Sequence, residues 1–229
     1  MSWNPLPSRI SHSANTSRSL MMENAVEKQQ RTDFLKRLSR LSRPVSSYWG
    51  MGLSLRTDGD TPSFDWKSVN VPLDEADASD DSITHLLLHE WGHRTLSPKT
   101  VENAYWYELL ADSEGLPRSA EAVNIATDLL VDAWYMKNPV WGELYRREEK
   151  QSHERIRQKQ VGEPNPVLKY MLMAYSIIGG WADEASLSSP EGVFCQKTLD
   201  ALFDGSKDID TRIRNFFKLL SEKGNEWQD

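Results

Sequence analysis

Three histidines lie within "THLLLHEWGHRTLSP", residues 84–98, at positions 85, 89 and 93. Residues four apart on an α-helix share a face about one turn apart, so His89 and His93 can each aim an imidazole nitrogen at one ion. Zinc accepts imidazole nitrogen at roughly 2.0–2.1 Å, a reach this spacing supplies without bending the helix. Glu90 stands beside the first of the two. A carboxylate there stays out of the coordination sphere but can take a proton from a metal-bound water and so make a nucleophile. The chemistry carried by His89, Glu90 and His93 is therefore metal-assisted hydrolysis, with Glu90 as general base. His85 extends the series, yet three ligands on one straight helix would span about 12 Å, too far for a single ion. It reads as a partly buried supporting residue, with Asp80 and Asp81 free to pair with it.

The chain holds one cysteine, Cys195. No thiolate cluster can bind zinc and no disulfide can form within the chain, so a metal must be held by histidine and carboxylate. A hydrolytic zinc needs a third protein ligand and leaves its fourth position to water. Two segments offer a carboxylate. "NIATDLLVD" sets Asn124, Asp128 and Asp132 at i, i+4 and i+8, a polar stripe on an otherwise apolar helix that must face water or be buried with partners. "ELLAD" sets Glu108 and Asp112 in the same i, i+4 relation. In either segment one residue could bind the metal while its neighbour accepts the free N–H of a ligand histidine. Tyr105, Tyr107, Tyr135 and Arg118 are candidate donors to a developing oxyanion by residue type and approximate location, but core packing or surface placement is the expected reading of each, and none is assigned a catalytic role. Trp91, Trp106 and Trp134 read as core residues that could also wall a cleft.

The elements that position these residues follow from patterning. Val26, Phe34, Leu35, Leu38 and Leu41 recur at helical spacing from about Met22 to Leu41, and Pro44 is expected to close that helix. "SYWGMGLSLRT" and "SFDWKSVNVPL" are β-type runs with "DGDTP" between them, which predicts a hairpin. The histidines fall on a helix from about Ser82 to Leu96. A second helix is expected to start at Ser97-Pro98 and to end by Gly115 and Pro117, and a third to run from Ser119 to Lys137. Gly92 lies inside the histidine helix, where Gly costs about 1 kcal/mol relative to Ala, so another element or a substrate should approach closely there. Beyond Pro139 come a charged helix through "ELYRREEKQSHERIRQK", an apolar one near 166–178, and two more. The expected fold is mainly α with a small antiparallel β-sheet, an α+β class. Its parts are a serine-rich flexible arm over 1–21, a core over 22–138 and a helical C-terminal extension over 139–229 packed on that core.

Composition narrows the function. With 27 Lys plus Arg against 34 Asp plus Glu, the formal charge is −7, which argues against a nucleic-acid or anionic-membrane binder. The most apolar late run, "VLKYMLMAYSIIGGW", is interrupted by Lys169 and is shorter than the roughly 20 residues of a membrane span. A soluble, cytoplasmic protein is expected, with no nucleic-acid or membrane partner.

The order "TDG", an extended segment ending near "VNVPL", then "HEWGH", then "NIATDLLVD" covers about Thr57 to Lys137. It resembles the zincin-type metallopeptidases associated with von-Willebrand-A-like and MoxR-type ATPase proteins, which show H-E-x-x-H followed by N-x-x-x-D-x-x-[VI]-[ND]. "HEWGH" is the most specific part of the match. The resemblance implies a minimal zincin-like core, Zn2+ held by His89, His93 and Asp128, Glu90 as base, and Asn124 and Asp132 in support. "ELLADSEG" resembles instead the E-x-x-A-D-x-x-G segment of another gluzincin branch, in which the Glu is the third ligand, so Glu108 stands as the alternative. The expected function is a zinc-dependent metallopeptidase acting on a protein or peptide substrate. The alternative is a metal-stabilised, non-cleaving zincin-fold module of an ATPase/VWA-type complex, for which the charged segment near 145–160 and the basic helix near 28–43 offer a partner surface. A helical structural protein without metal is the third class.

Overall fold

Helix α2, Asp80–Thr95, carries the histidines and is bounded by its own side chains. Ser79 caps it, its hydroxyl accepting from the Ser82 N–H at 3.0 Å, and Asp80 and Asp81 place negative charge at the positive end of the helix dipole. The structure, a computed structural model, describes residues 12–52, 54–159 and 165–223, with side chains from residue 25 onward. Before α2 come α1, His12–Trp49, three strands, β1 Ser54–Arg56, β2 Ser63–Phe64 and β3 Ser68–Asn70, and a 3-10 turn at Leu73–Asp77. After it come α3 Val101–Ser113, α4 Ser119–Met136, α5 Gly142–Lys159, α6 Pro166–Gly179, α7 Glu184–Ser188, α8 Pro190–Leu202 and α9 Ile209–Ser221. The mainly helical α+β class expected from the sequence is the class observed.

Local departures from expectation have identifiable causes. Pro44 does not end α1: the helix runs on to Trp49, because Val45 is fully buried and Trp49 Nε1 donates to the Tyr135 hydroxyl at 3.1 Å. Packing of this kind outweighs the loss of one backbone donor. Of the arm expected over 1–21, residues 1–11 lie outside the described residues and α1 begins at His12. Part of its basic face is structural: the Arg37 guanidinium donates to the carbonyls of Ala76 and Ala78 and to Asp80, each at 2.7 Å, fixing α1 to the start of α2.

The sheet is mixed rather than purely antiparallel, in the order β1-β3-β2. β1 runs parallel to β3, with Leu55 opposite Val69, and β2 runs antiparallel to it on the other side. The predicted hairpin across "DGDTP" is therefore not made. Asn70, nearly fully buried on β3, accepts from the Gly59 N–H at 3.1 Å and donates to the Thr61 carbonyl at 2.6 Å. That loop is thereby tied to the middle strand, and the tight turn falls instead at Asp65–Lys67, where Asp65 accepts from the Ser68 N–H at 2.7 Å. The second helix also starts later than expected: Thr100, not Ser97, caps α3, accepting from the Asn103 N–H at 3.2 Å. Ser97 and Pro98 belong to the connecting loop.

The crossing of α2 and α4 decides where the site forms. A Cβ on Gly92 would collide with Val131 Cγ1 and come within 3.1 Å of Tyr135 Cε2. The close approach expected at Gly92 is thus an approach of α4. One hydrophobic cluster runs without a break from Leu38 and Trp91 through Leu129 to Tyr145, Leu202 and Phe216, so the segment after residue 138 shares the core of the segment before it. Among the described residues, no helix is long and apolar enough to cross a membrane.

Candidate metal centre

Where α2 crosses α4, three donor atoms converge. His89 Nε2 and His93 Nε2 are 3.4 Å apart, His93 Nε2 is 3.3 Å from Asp128 Oδ1, and His89 Nε2 is 3.7 Å from the same oxygen. Two ligands held about 2.0–2.1 Å from a tetrahedral ion stand about 3.3–3.4 Å from each other. The triangle therefore has the size of one face of a tetrahedral zinc site. Asp128 Oδ1 is buried and has no hydrogen-bond partner among the described residues, a costly state for a carboxylate oxygen unless a cation completes it. Among the described residues this is the one group of three or more metal-ligating side chains so arranged.

Each of the three side chains is held from behind. His89 Nδ1 donates to Asp132 Oδ1 at 2.7 Å, which leaves Nε2 for an ion. His93 Nδ1 faces the Ser97 carbonyl at 3.3 Å, which fixes the same tautomer there. Asn124 Nδ2 donates to the other oxygen of Asp128, Oδ2, at 3.1 Å. The stripe Asn124, Asp128 and Asp132 thus supplies one donor atom to the triangle and two supports. Asp132 is 1% exposed, and Tyr145 on α5 donates a hydroxyl hydrogen bond to its Oδ1. Burial alone would raise the Asp132 pKa, but His89, then the Tyr145 and Tyr175 hydroxyls, hold it below the usual carboxylate value. Burial alone would lower His89; the charge and hydrogen bond of Asp132, with Asp128 and Glu90 behind, raise it well above the ordinary imidazole value. A metal arriving at Nε2 therefore displaces a proton.

The cluster opens on a cleft of about 330 Å³. Glu90 lines it, 7% exposed, with a pKa raised by burial and by Asp128 and Asp132, against the pull of the two imidazoles. A carboxylate so raised accepts a proton more readily near neutral pH. Edge strand β2 forms one wall through Ser63 and Phe64, and Trp66, held at a left-handed φ of 68°, another. Such a backbone conformation is costly for a residue with a side chain and is found where surrounding structure enforces it.

Glu108 also lines the cleft but contributes no atom to the triangle, so the structure brings Asp128, not Glu108, to the histidines. His85 is buried, as expected, but its partner is Glu149, 3.1 Å from Nε2; Asp80 is bound to Arg37 and Arg40, and Asp81 to Arg147. None of the four oxyanion-donor candidates reaches the cleft. Tyr105 is exposed, Arg118 pairs with Glu121, Tyr135 bonds Trp49, and Tyr107 lines a different cavity. Of the three tryptophans, Trp91 is buried, Trp134 half-buried and Trp106 exposed. Sequence reasoning missed Tyr145 and Tyr175. The signal that could have found them is Asp132 itself, since a buried carboxylate has more acceptor sites than one histidine can fill.

Compared with protein-family models, with curated proteins and with solved structures, the chain matches none of them.

Proposed function

We propose that the chain is a zinc-dependent metallopeptidase of zincin type, hydrolysing peptide bonds of a protein or peptide substrate. The observation that carries this reading is the convergence of His89, His93 and Asp128 around an unpartnered buried oxygen, with Glu90 in the same open cleft. Zinc held by His89, His93 and Asp128 would supply a Lewis acid able to activate water near neutral pH and to polarise a scissile carbonyl. Glu90 takes the proton of the attacking water and returns it to the leaving amine. Asp132 and the Ser97 carbonyl keep both imidazoles in one tautomer throughout, and β2 offers edge backbone groups with which an extended peptide can pair.

One observation favours a second reading. No Tyr, Arg or Lys lines the cleft among the described residues, so no cationic or phenolic donor waits beside the triangle for an oxyanion. A non-cleaving, metal-stabilised module that binds a partner protein, such as an ATPase/VWA-type complex, needs none. Two measurements on one preparation separate the readings. Elemental analysis after zinc supplementation should find about one equivalent of metal, and wild type should cut sites in a peptide library that Glu90→Gln leaves intact. Metal with identical library profiles for the two proteins supports the binding module; no metal removes both.

A further inference from the structure

Beyond the loop that joins α2 to α3 lies a second cavity, of about 470 Å³. Tyr107, Trp134 and Phe203 give it an aromatic lining, and Lys99, Lys137 and Arg212 bring it three positive charges with no Asp or Glu among the lining residues. In a chain with 34 acidic residues against 27 basic ones, that selection runs against composition. The three cations come from three separate segments. Lys137 Nζ lies 5.7 Å from the centroid of the Phe203 ring, and Arg212 Nε donates to the Leu202 carbonyl at 2.7 Å, so two of them are anchored. Lys99 is held at a left-handed φ of 64° while its N–H donates to the His93 carbonyl at 3.0 Å. Cations at the C-terminal ends of α2 and α4 complement those helix dipoles, and Arg212 likewise bonds the last carbonyl of α8; what the dipoles do not account for is that all three cations meet at one aromatic-lined cavity. Asp210, near it on the same helix, accepts from Trp106 Nε1 at 3.2 Å and does not line the cavity, though its charge reaches the lining Tyr107.

We propose that this cavity binds a small organic anion, a phosphate or carboxylate carried on a planar apolar body. The body stacks in the aromatic lining and the anion lies among Lys99, Lys137 and Arg212. The site needs no metal and goes beyond the peptidase reading. It nevertheless adjoins the metal centre: Pro98 lines both cavities, and Ser97, which lines this one, gives its carbonyl to His93. An occupant would bear on the loop that orients a ligand. The anion has two possible sources, a free small molecule or an acidic residue next to an aromatic one in a polypeptide.

Calorimetric titration of the full chain, with a chelator and again with zinc, tests this. The probes are phenylphosphate, benzyl alcohol as the same body without charge, inorganic phosphate as charge without body, and a short peptide bearing Phe-Glu. Saturable phenylphosphate binding, weakened about tenfold or more by Lys137→Gln and by Arg212→Gln, is the expected result with a free anion as source. Saturable binding of the peptide alone, with the same sensitivity, supports the site with a polypeptide carboxylate as source. Binding of neither probe overturns the proposal, as does binding that both variants leave unchanged, or phenylphosphate binding no tighter than that of benzyl alcohol. Lys137 is exposed, so Lys137→Gln keeps the test valid where Arg212→Gln fails to fold. Zinc stoichiometry measured in the same samples reports separately on the metal centre.

Discussion

Helix α2 carries two histidine–carboxylate arrangements one turn apart, and they differ in kind. At His85 the imidazole meets one acid, Glu149, at 3.1 Å, and the Tyr145 ring packs on it with centroids 4.3 Å apart. At His89 and His93 two imidazoles share one oxygen of Asp128 that nothing else among the described residues engages, beside an open cleft. The first is a one-to-one pair that also borders a cavity; at the second, three side chains converge. Burial and residue type do not separate the two. What separates them is the number of ligating atoms that point to one position, which α4 sets by crossing at Gly92.

Substitutions at the two arrangements should break that comparison cleanly. The largest effect expected is on metal: His89→Ala, His93→Ala or Asp128→Ala should abolish stoichiometric zinc in elemental analysis, while His85→Ala and Glu108→Ala keep it. Retention of zinc by Asp128→Ala with its loss in Glu108→Ala would reverse the ligand assignment. Glu90→Gln should keep metal yet lower peptide hydrolysis by about 10²–10⁴-fold, the range of general base catalysis. Tyr145→Phe touches both arrangements at once. It keeps the ring against His85 but removes the hydroxyl from Asp132, and should weaken zinc affinity by about 10–100-fold in a competition titration with a chromogenic chelator. Gly92→Ala should destabilise the fold by about 1–3 kcal/mol in urea denaturation and weaken zinc binding with it, because the new methyl drives α4 away from the histidines.

The smallest effect concerns pH on the His85 side of α2. His153 on α5 has a pKa lowered from 6.5 by burial, with Glu149 opposing and Arg157 adding to the shift. A histidine depressed in the folded state binds a proton more readily when unfolded, so its contribution is complete above about pH 6.5 and is lost as pH falls from there toward the folded value. Urea midpoints measured between pH 7.5 and pH 5.5, values about one unit either side of that pKa, should therefore fall less in His153→Gln than in wild type.

Much of the metal triangle was legible because its parts are local. The spacing of His89 and His93 is a property of any helix, and the Asn124, Asp128, Asp132 stripe stands out against the apolar residues around it. Gly92 announced a close approach without naming the partner. The supports were legible only in part: Asp132 was visible, but Tyr145 and Tyr175 lie in helices whose own patterns are explained by charge and by core packing. Nothing in "ELYRREEK" says that its tyrosine meets an aspartate 13 residues earlier. The strand pairing was misread for a related reason. The turn-rich "DGDTP" looks like a hairpin loop until the Asn70 side chain, further along the chain, is seen to hold it against β3. Pro44 failed as a stop signal because the burial of Val45 and the Trp49–Tyr135 hydrogen bond outweigh one missing backbone bond.

Tyr145 lies outside the stretch from Thr57 to Lys137 that holds every proposed ligand. Two chains could agree at each ligand and at Glu90, yet differ in whether a hydroxyl from a later helix clamps the aspartate behind His89. A pattern drawn over the ligands alone would group them together. Transplanting the centre to another scaffold calls for four helices, not two, and the later pair must bring phenols to a buried carboxylate before the first histidine is held as it is here.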